Sequence, residues 1–83
     1  MLQVFPTDAG RTAQGETLID IAWQEVNVLA PDAPTPGMRE QFYCHWVYAR
    51  AVEPNKASWN LEPWRPVVTT RRMIETGCNP SAP

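Results

Sequence analysis

The sequence predicts a small, mainly helical α+β single domain over residues 1–83, and three observations carry that prediction. Two stretches, 17–30 and 36–49, repeat apolar residues at helical spacing, and a residue able to start a helix opens each. A short run of strand formers, Leu2-Gln3-Val4-Phe5, precedes them. Prolines at 54, 63 and 66 then exclude a long helix over residues 51–68.

The strand comes first. Leu2 to Phe5 alternates weakly, and Pro6-Thr7-Asp8-Ala9-Gly10 supplies turn residues to end it. A lone strand leaves its ladder groups unpaired. A partner is therefore expected, either Val67-Val68 or residues ahead of Met1. Residues 11–16 read as a loop.

In the first helix Thr17 is the expected N-cap and Asp20 completes a capping box. Leu18, Ile19, Ala22, Trp23, Val26, Leu29 and Ala30 fill an arc of about 140°. Asp20, Gln24 and Asn27 lie opposite, and Pro31 stops the helix. Asp32-Ala33-Pro34 is a short, stiff connection.

Thr35 can cap the second helix, with Pro36 at its first position. Met38, Phe42, Trp46 and Ala49 form one stripe that should meet the first helix, antiparallel to it, with His45 at the edge. Cys44 points to roughly the opposite side, flanked by Val47 and Tyr48. Two working faces make this helix the expected centre of the fold. Residues 51–68 read as irregular. Thr69 or Thr70 caps a last short helix, Arg71 to Thr76, and Gly77 is its left-handed terminator, aiming Cys78.

Composition bounds the rest. Leu, Ile, Val and Phe number only 16 of 83, a poor aliphatic supply, but a net charge of −2 and four tryptophans argue for a folded domain on a few large anchors. Cys44 and Cys78 are the two cysteines. An even count in so short a chain suggests a disulfide and an oxidising compartment. Two buried thiols in a reduced, cytosolic protein are the alternative. Residues 1–33 set Arg11 against Asp8, Glu16, Asp20, Glu25 and Asp32, a net −4, while 65–83 set Arg65, Arg71 and Arg72 against Glu75, a net +2. These ends are expected to attract one another within the fold. The basic excess is too small for a nucleic-acid surface. No run of 18 apolar residues exists to span a membrane. Met1-Leu2-Gln3-Val4 lacks the basic and apolar regions of a signal peptide, so an exported form is expected to be a processed one with Met1 as an added start.

Candidate chemistry is sparse. His45 adjoins Cys44 in sequence, but neighbours on a helix diverge by about 100°, so the two form no dyad. A packed, structural histidine is the expected role. Cys44, His45 and Cys78 lack the spacing of a zinc site, so no metal and no cofactor is expected. Glu25 lies between Leu18 and Ile21 on the helical wheel, where it can pair with an arginine of the C-terminal part or, partly desolvated, act as a general acid. The most distinctive run is Trp59-Asn60-Leu61-Glu62-Pro63-Trp64-Arg65-Pro66. Its prolines pre-organise a loop that either folds both indoles inward or presents one to a ligand.

Pro36-Gly37-Met38, Gln41-Phe42, Cys44-His45, the Trp59–Pro66 run and Gly77-Cys78-Asn79-Pro80 together carry a family resemblance, joined by Pro6-Thr7 and Gly10-Arg11. In that order and spacing the chain resembles small exported actinobacterial proteins that carry only a domain-of-unknown-function label. The resemblance implies export, a secreted or cell-envelope location, and a bond between Cys44 and Cys78. It carries no reaction and no catalytic residue. The expected function is a secreted, non-enzymatic interaction module that binds an unknown protein or a cell-wall ligand through Trp59, Glu62, Trp64 and Arg65. Two alternatives stand beside it. One is a small hydrolase or toxin domain using His45 with Glu25 or Glu62. The other is an accessory domain of a larger exported protein.

Overall fold

One interrupted helix organises the chain in the computed structural model, which describes residues 1–14, 16–32 and 35–80. Strand β1 (Leu2–Val4) is followed by a short helix α1 (Asp8–Thr12) and the long helix α2 (Glu16–Leu29). Helix α3 (Met38–Cys44) runs on through a π-helical turn (His45–Ala49) into α4 (Arg50–Val52). Strand β2 (Trp59–Leu61) and helix α5 (Thr70–Glu75) complete the α+β fold.

The predicted stripe is where the core forms. Met38, Phe42, Trp46 and Ala49 are all buried. Phe42 sits among three indoles, its ring centroid 5.3 Å from Trp23, 6.1 Å from Trp46 and 6.0 Å from Trp59. Large rings thus supply the buried area that the scarce aliphatics do not. The phase of α2 needs correction. Ile19 and Trp23 enter the core, with Ala22, Val26 and Ala30 packed beside them, while Leu18 and Leu29 are exposed. The helix also begins earlier than expected, at Glu16, so Thr17 lies inside it rather than capping it. Asp20 pairs with Arg39 at 3.4 Å instead of closing a capping box. The connection expected at 32–34 lies partly outside the described residues.

Gly37, not Thr35, is the N-cap of α3, in the left-handed region at φ 88° where glycine is favoured. Thr35 contributes its carbonyl to the turn, accepting from the Met38 N–H at 3.1 Å. The expected end at residue 49 is overrun because the π turn passes the chain on to Val52. There the Arg50 N–H reaches five residues back to the His45 carbonyl. The Arg50 Nε–H donates to the Trp46 carbonyl at 2.6 Å, an acceptor that an α-helix would have given to the Arg50 backbone N–H.

Helix α1, Asp8–Thr12, stands where a turn and a loop were expected. The turn residues serve as its start: Thr7 Oγ1 accepts from the Gly10 N–H at 3.1 Å, and Asp8 occupies the first turn. Two arginines then tie α1 down. Arg11 donates to the carbonyls of Pro54 and Lys56 at 3.1 and 2.7 Å. Arg50 donates to those of Gly10 and Ala13 at 2.9 and 2.7 Å and lies over the Trp46 ring.

The partner of β1 is also not the one expected. Leu2, Gln3 and Val4 pair antiparallel with Leu61, Asn60 and Trp59, and Val67 is exposed. Trp59-Asn60-Leu61 alternates buried, half-buried, buried, and an indole brings the core more area than a valine.

At the C-terminus the expectation holds. Thr69 Oγ1 accepts from the Arg72 N–H at 3.2 Å. Beyond Glu75 the Cys78 N–H donates to Met73 O and the Gly77 N–H to Ile74 O, the paired bonds of a left-handed helix stop. Gly77 and Cys78 take φ 61° and 66°. That stop directs Cys78 onto Cys44, with which it forms a disulfide, Cα–Cα 5.6 Å. Cys44, Met73 and Cys78 make a second buried cluster, flanked by Tyr48 and Val68. The central helix therefore has two covered faces, as its pattern predicts. The charged ends do not meet: among the described residues Arg65, Arg71 and Arg72 pair locally with Glu62 and Glu75. No helix there is long and apolar enough to cross a membrane.

Candidate functional site

The Trp59–Pro66 run divides at Leu61. Its first half is strand and core. Trp59 is 2% exposed and cannot present a ring to a ligand, which removes it from the expected surface. Its second half is a surface loop fixed from three directions.

The first fixture is Gln41, buried on α3. Its Nε2–H donates to the Glu62 carbonyl at 2.8 Å, and its Oε1 accepts from the Glu62 N–H at 2.9 Å. A side-chain amide thus pairs with one backbone residue as a neighbouring strand would, and so satisfies the chain where β2 ends. The second is local. The Arg65 N–H closes a turn onto the Glu62 carbonyl at 3.1 Å, and Pro63 and Pro66 have fixed φ. The third is the tail. The Arg65 guanidinium donates to the carbonyl of buried Pro80 at 3.1 Å and to Glu62 Oε1 at 2.9 Å.

Trp64 stands on this base. It is 64% exposed, and the Arg65 guanidinium carbon lies 4.3 Å from its ring centroid. A cation held over an indole by two other contacts orients that ring at little further entropic cost. Trp64, Arg65 and Glu62 therefore form one cluster, with Trp64 exposed over the half-buried Arg65 and Glu62, and Trp59 lies apart from it.

His45 belongs to the core. It is 1% exposed and stacks on Trp59 at 6.3 Å. Its Nδ1 lies 2.7 Å from the Gln41 carbonyl. A carbonyl only accepts, so Nδ1 carries the proton. Burial holds the His45 pKa below its ordinary range; the bond to Gln41 opposes this, and the charge of Lys56 reinforces it. Neutral imidazole is the form that fits. Glu62, its candidate partner, is engaged by Arg65, and Glu25 is exposed on α2. Among the described residues Glu25 forms no ion pair with the C-terminal arginines.

The fold also holds a groove that the sequence does not predict. This groove of about 400 Å³ runs between α5 and the length of α3 and its π turn, beside Cys44, and is lined by Arg39, Glu40, Tyr43, Val47, Tyr48, Val68, Met73 and Ile74. Its trace in the sequence was the placing of Val47 and Tyr48 beside Cys44. What was missing was the docking of α5 alongside, which builds the second wall.

The chain belongs to the family described as "Protein of unknown function (DUF2599)", whose match covers residues 1–81. It is 54% identical over 85 residues to the uncharacterized protein Rv0477 of Mycobacterium tuberculosis, covering 99% of this chain and 57% of that protein. It is 43% identical over 82 residues to the uncharacterized protein ML2452 of Mycobacterium leprae, covering 95% of this chain and 67% of that protein. The chain thus spans little more than half the length of the M. tuberculosis relative. No solved structure matches it.

Proposed function

We propose that this DUF2599 domain is a secreted or cell-envelope binding module without chemistry of its own, whose working surface is Trp64 with Arg65 and Glu62. The observation that carries the reading is the indole of Trp64, exposed yet held in place by a guanidinium anchored on Glu62 and Pro80. Exposed aromatic rings on rigid supports are the usual anchors of recognition surfaces. The free ring area suits the apolar face of a sugar or a peptide side chain, and Arg65 and Glu62 add one charge of each sign beside it. The disulfide fits an extracellular setting.

Burial of His45 and engagement of Glu62 by Arg65 support binding over the hydrolase reading. The greater length of the M. tuberculosis relative favours a companion reading, in which the domain serves as an accessory unit of a longer exported protein.

Titration with a panel of cell-wall sugars and peptides, followed by tryptophan fluorescence, tests the proposal. A ligand found this way is expected to lose roughly 30-fold in affinity against Trp64→Ala, the scale of an aromatic hot spot. Affinity unchanged in Trp64→Ala, or hydrolysis across a broad substrate panel, overturns it.

A further inference from the structure

The disulfide and the Trp64 surface meet in the C-terminal tail. Pro80 stands two positions beyond Cys78, and its carbonyl accepts from the Arg65 guanidinium at 3.1 Å. Glu62 Oε1 accepts from the other terminal nitrogen at 2.9 Å. Two anchored nitrogens fix the plane of a guanidinium, whereas a single one leaves it free to turn. That group lies over the Trp64 ring, its carbon 4.3 Å from the centroid. The order of the exposed indole therefore depends on where the tail lies.

The tail is held in place mainly by the disulfide. The N–H groups of Gly77, Cys78 and Asn79 donate to the carbonyls of Ile74, Met73 and Thr76, all within α5 and the stop that follows it. Those bonds move with α5 and do not attach it to α3. The buried cluster that does attach it consists of Met73 and the two bonded cysteines. The latched arrangement also carries two unfavourable features. Cys78 sits at φ 66°, in the region that favours glycine. The Arg65 Nε–H is buried with no partner among the described residues. Movement of the tail away from Arg65 relieves both, and the burial of Pro80 and the covalent bond oppose it.

We propose that the Cys44–Cys78 disulfide is a redox latch on the Trp64 surface, an inference that rests on the reading of Trp64 as the working residue. Oxidised, the bond keeps Pro80 on Arg65 and the indole in its presenting position. Reduced, it releases the tail, and the indole turns freely. Cys44 lines the groove between α3 and α5, which is the side from which a reductant reaches the bond. The reductant is a dithiol. One of its thiolates attacks the Cys44 sulfur, the bond to Cys78 breaks, and Cys78 leaves as a thiolate that takes up a proton. The second thiolate of the reductant then attacks the mixed disulfide, frees Cys44 as a thiol and closes the reductant's own disulfide. The two cysteines thereby gain two electrons and two protons, and the dithiol loses as many. Both sulfurs belong to buried residues, so the exchange is slow.

Relaxation of the ¹⁵N-labelled indole N–H groups tests the latch on the full chain, with no ligand present and well below the melting temperature. Dithiothreitol serves as the dithiol, and thiol titration shows when reduction is complete. The order parameter of the Trp64 indole is expected to be about 0.8 in the oxidised chain and below about 0.6 in the reduced one, the values that separate rigid from mobile groups. That of buried Trp59 is expected to stay near about 0.8 in both. Cys44→Ala with Cys78→Ala is expected to reproduce the reduced state without reductant. Arg65→Gln is expected to leave Trp64 mobile in either redox state, because the tail then has no guanidinium to hold. Equal order of Trp64 in the oxidised and reduced chains overturns the latch. So does a loss of order at Trp59 together with Trp64, which marks general unfolding, or a response of Trp64 to reduction that persists in Arg65→Gln. Trp64 can prove latched and bind nothing in the sugar and peptide titrations, or bind there and prove unlatched, so either reading can fail without the other.

Discussion

Trp59 and Trp64, five positions apart in one proline-rich run, do opposite work. Trp59 touches Phe42, Trp46 and His45, while Trp64 touches Arg65 at the surface. Trp59→Ala is expected to cost about 3–5 kcal/mol, near the whole stability of so small a domain. Trp64→Ala is expected to change stability by no more than about 0.5 kcal/mol, the scale of an exposed substitution. Urea titrations of both variants check the contrast. The sequence makes the loop's stiffness legible but not this division, because the core claims whichever indole the β1 pairing turns inward. His45 yields a second residue-scale expectation. Its folded pKa lies below the ordinary 6.5, so the unfolded chain takes up a proton that the folded one does not. The sign follows from linkage: this contribution to stability is full above about pH 6.5 and is lost as pH falls from there through the folded pKa. His45→Gln is expected to flatten that fall, measured as urea midpoints at a series of pH values. An equally steep fall in the variant contradicts the assignment.

At the scale of elements, the second helix was the most legible part because its pattern is one-sided and strong. Met38, Phe42, Trp46 and Ala49 are buried as expected, and Cys44 faces the tail. The first helix was less so, since its apolar residues spread over more than one face and only tertiary contact picks the inward one. Helix α1 was hidden because capping residues and turn residues are the same types. The π turn has no sequence signal; the reach of the Arg50 side chain to the carbonyls of Gly10, Ala13 and Trp46 is visible only in three dimensions. Strand β2 depends on Gln41, whose amide pairs with Glu62. Gln41→Leu keeps the volume and removes both bonds. It is expected to cost about 1–3 kcal/mol through the backbone groups left unpaired at Glu62, seen as a lowered Tm. The disulfide closes a loop over a sequence separation of 34, for which loop entropy gives about 3–4 kcal/mol. Reduction is expected to lower Tm substantially. A reduced protein melting with the oxidised one would contradict the role given to this bond.

For the molecule as a whole, the α+β class, the two main helices and the disulfide were legible, while the path of the chain between them was not. Uneven charge was read as an attraction between the ends inside one molecule. Instead α2 and the basic C-terminal helix lie on different faces of α3, where Asp20 pairs with Arg39 and Arg71 and Arg72 pair with Glu75. The candidate site followed the same course: the loop was found from its prolines, and its anchors at Gln41 and Pro80 were not, being distant in sequence. The central claim is that this domain works by presenting Trp64. The indole N–H resonances of the ¹⁵N-labelled protein test it most directly during titration with a ligand from the cell-wall panel. The Trp64 signal is expected to move and saturate, while that of buried Trp59 stays in place. A saturable ligand that leaves the Trp64 signal unmoved would contradict the account.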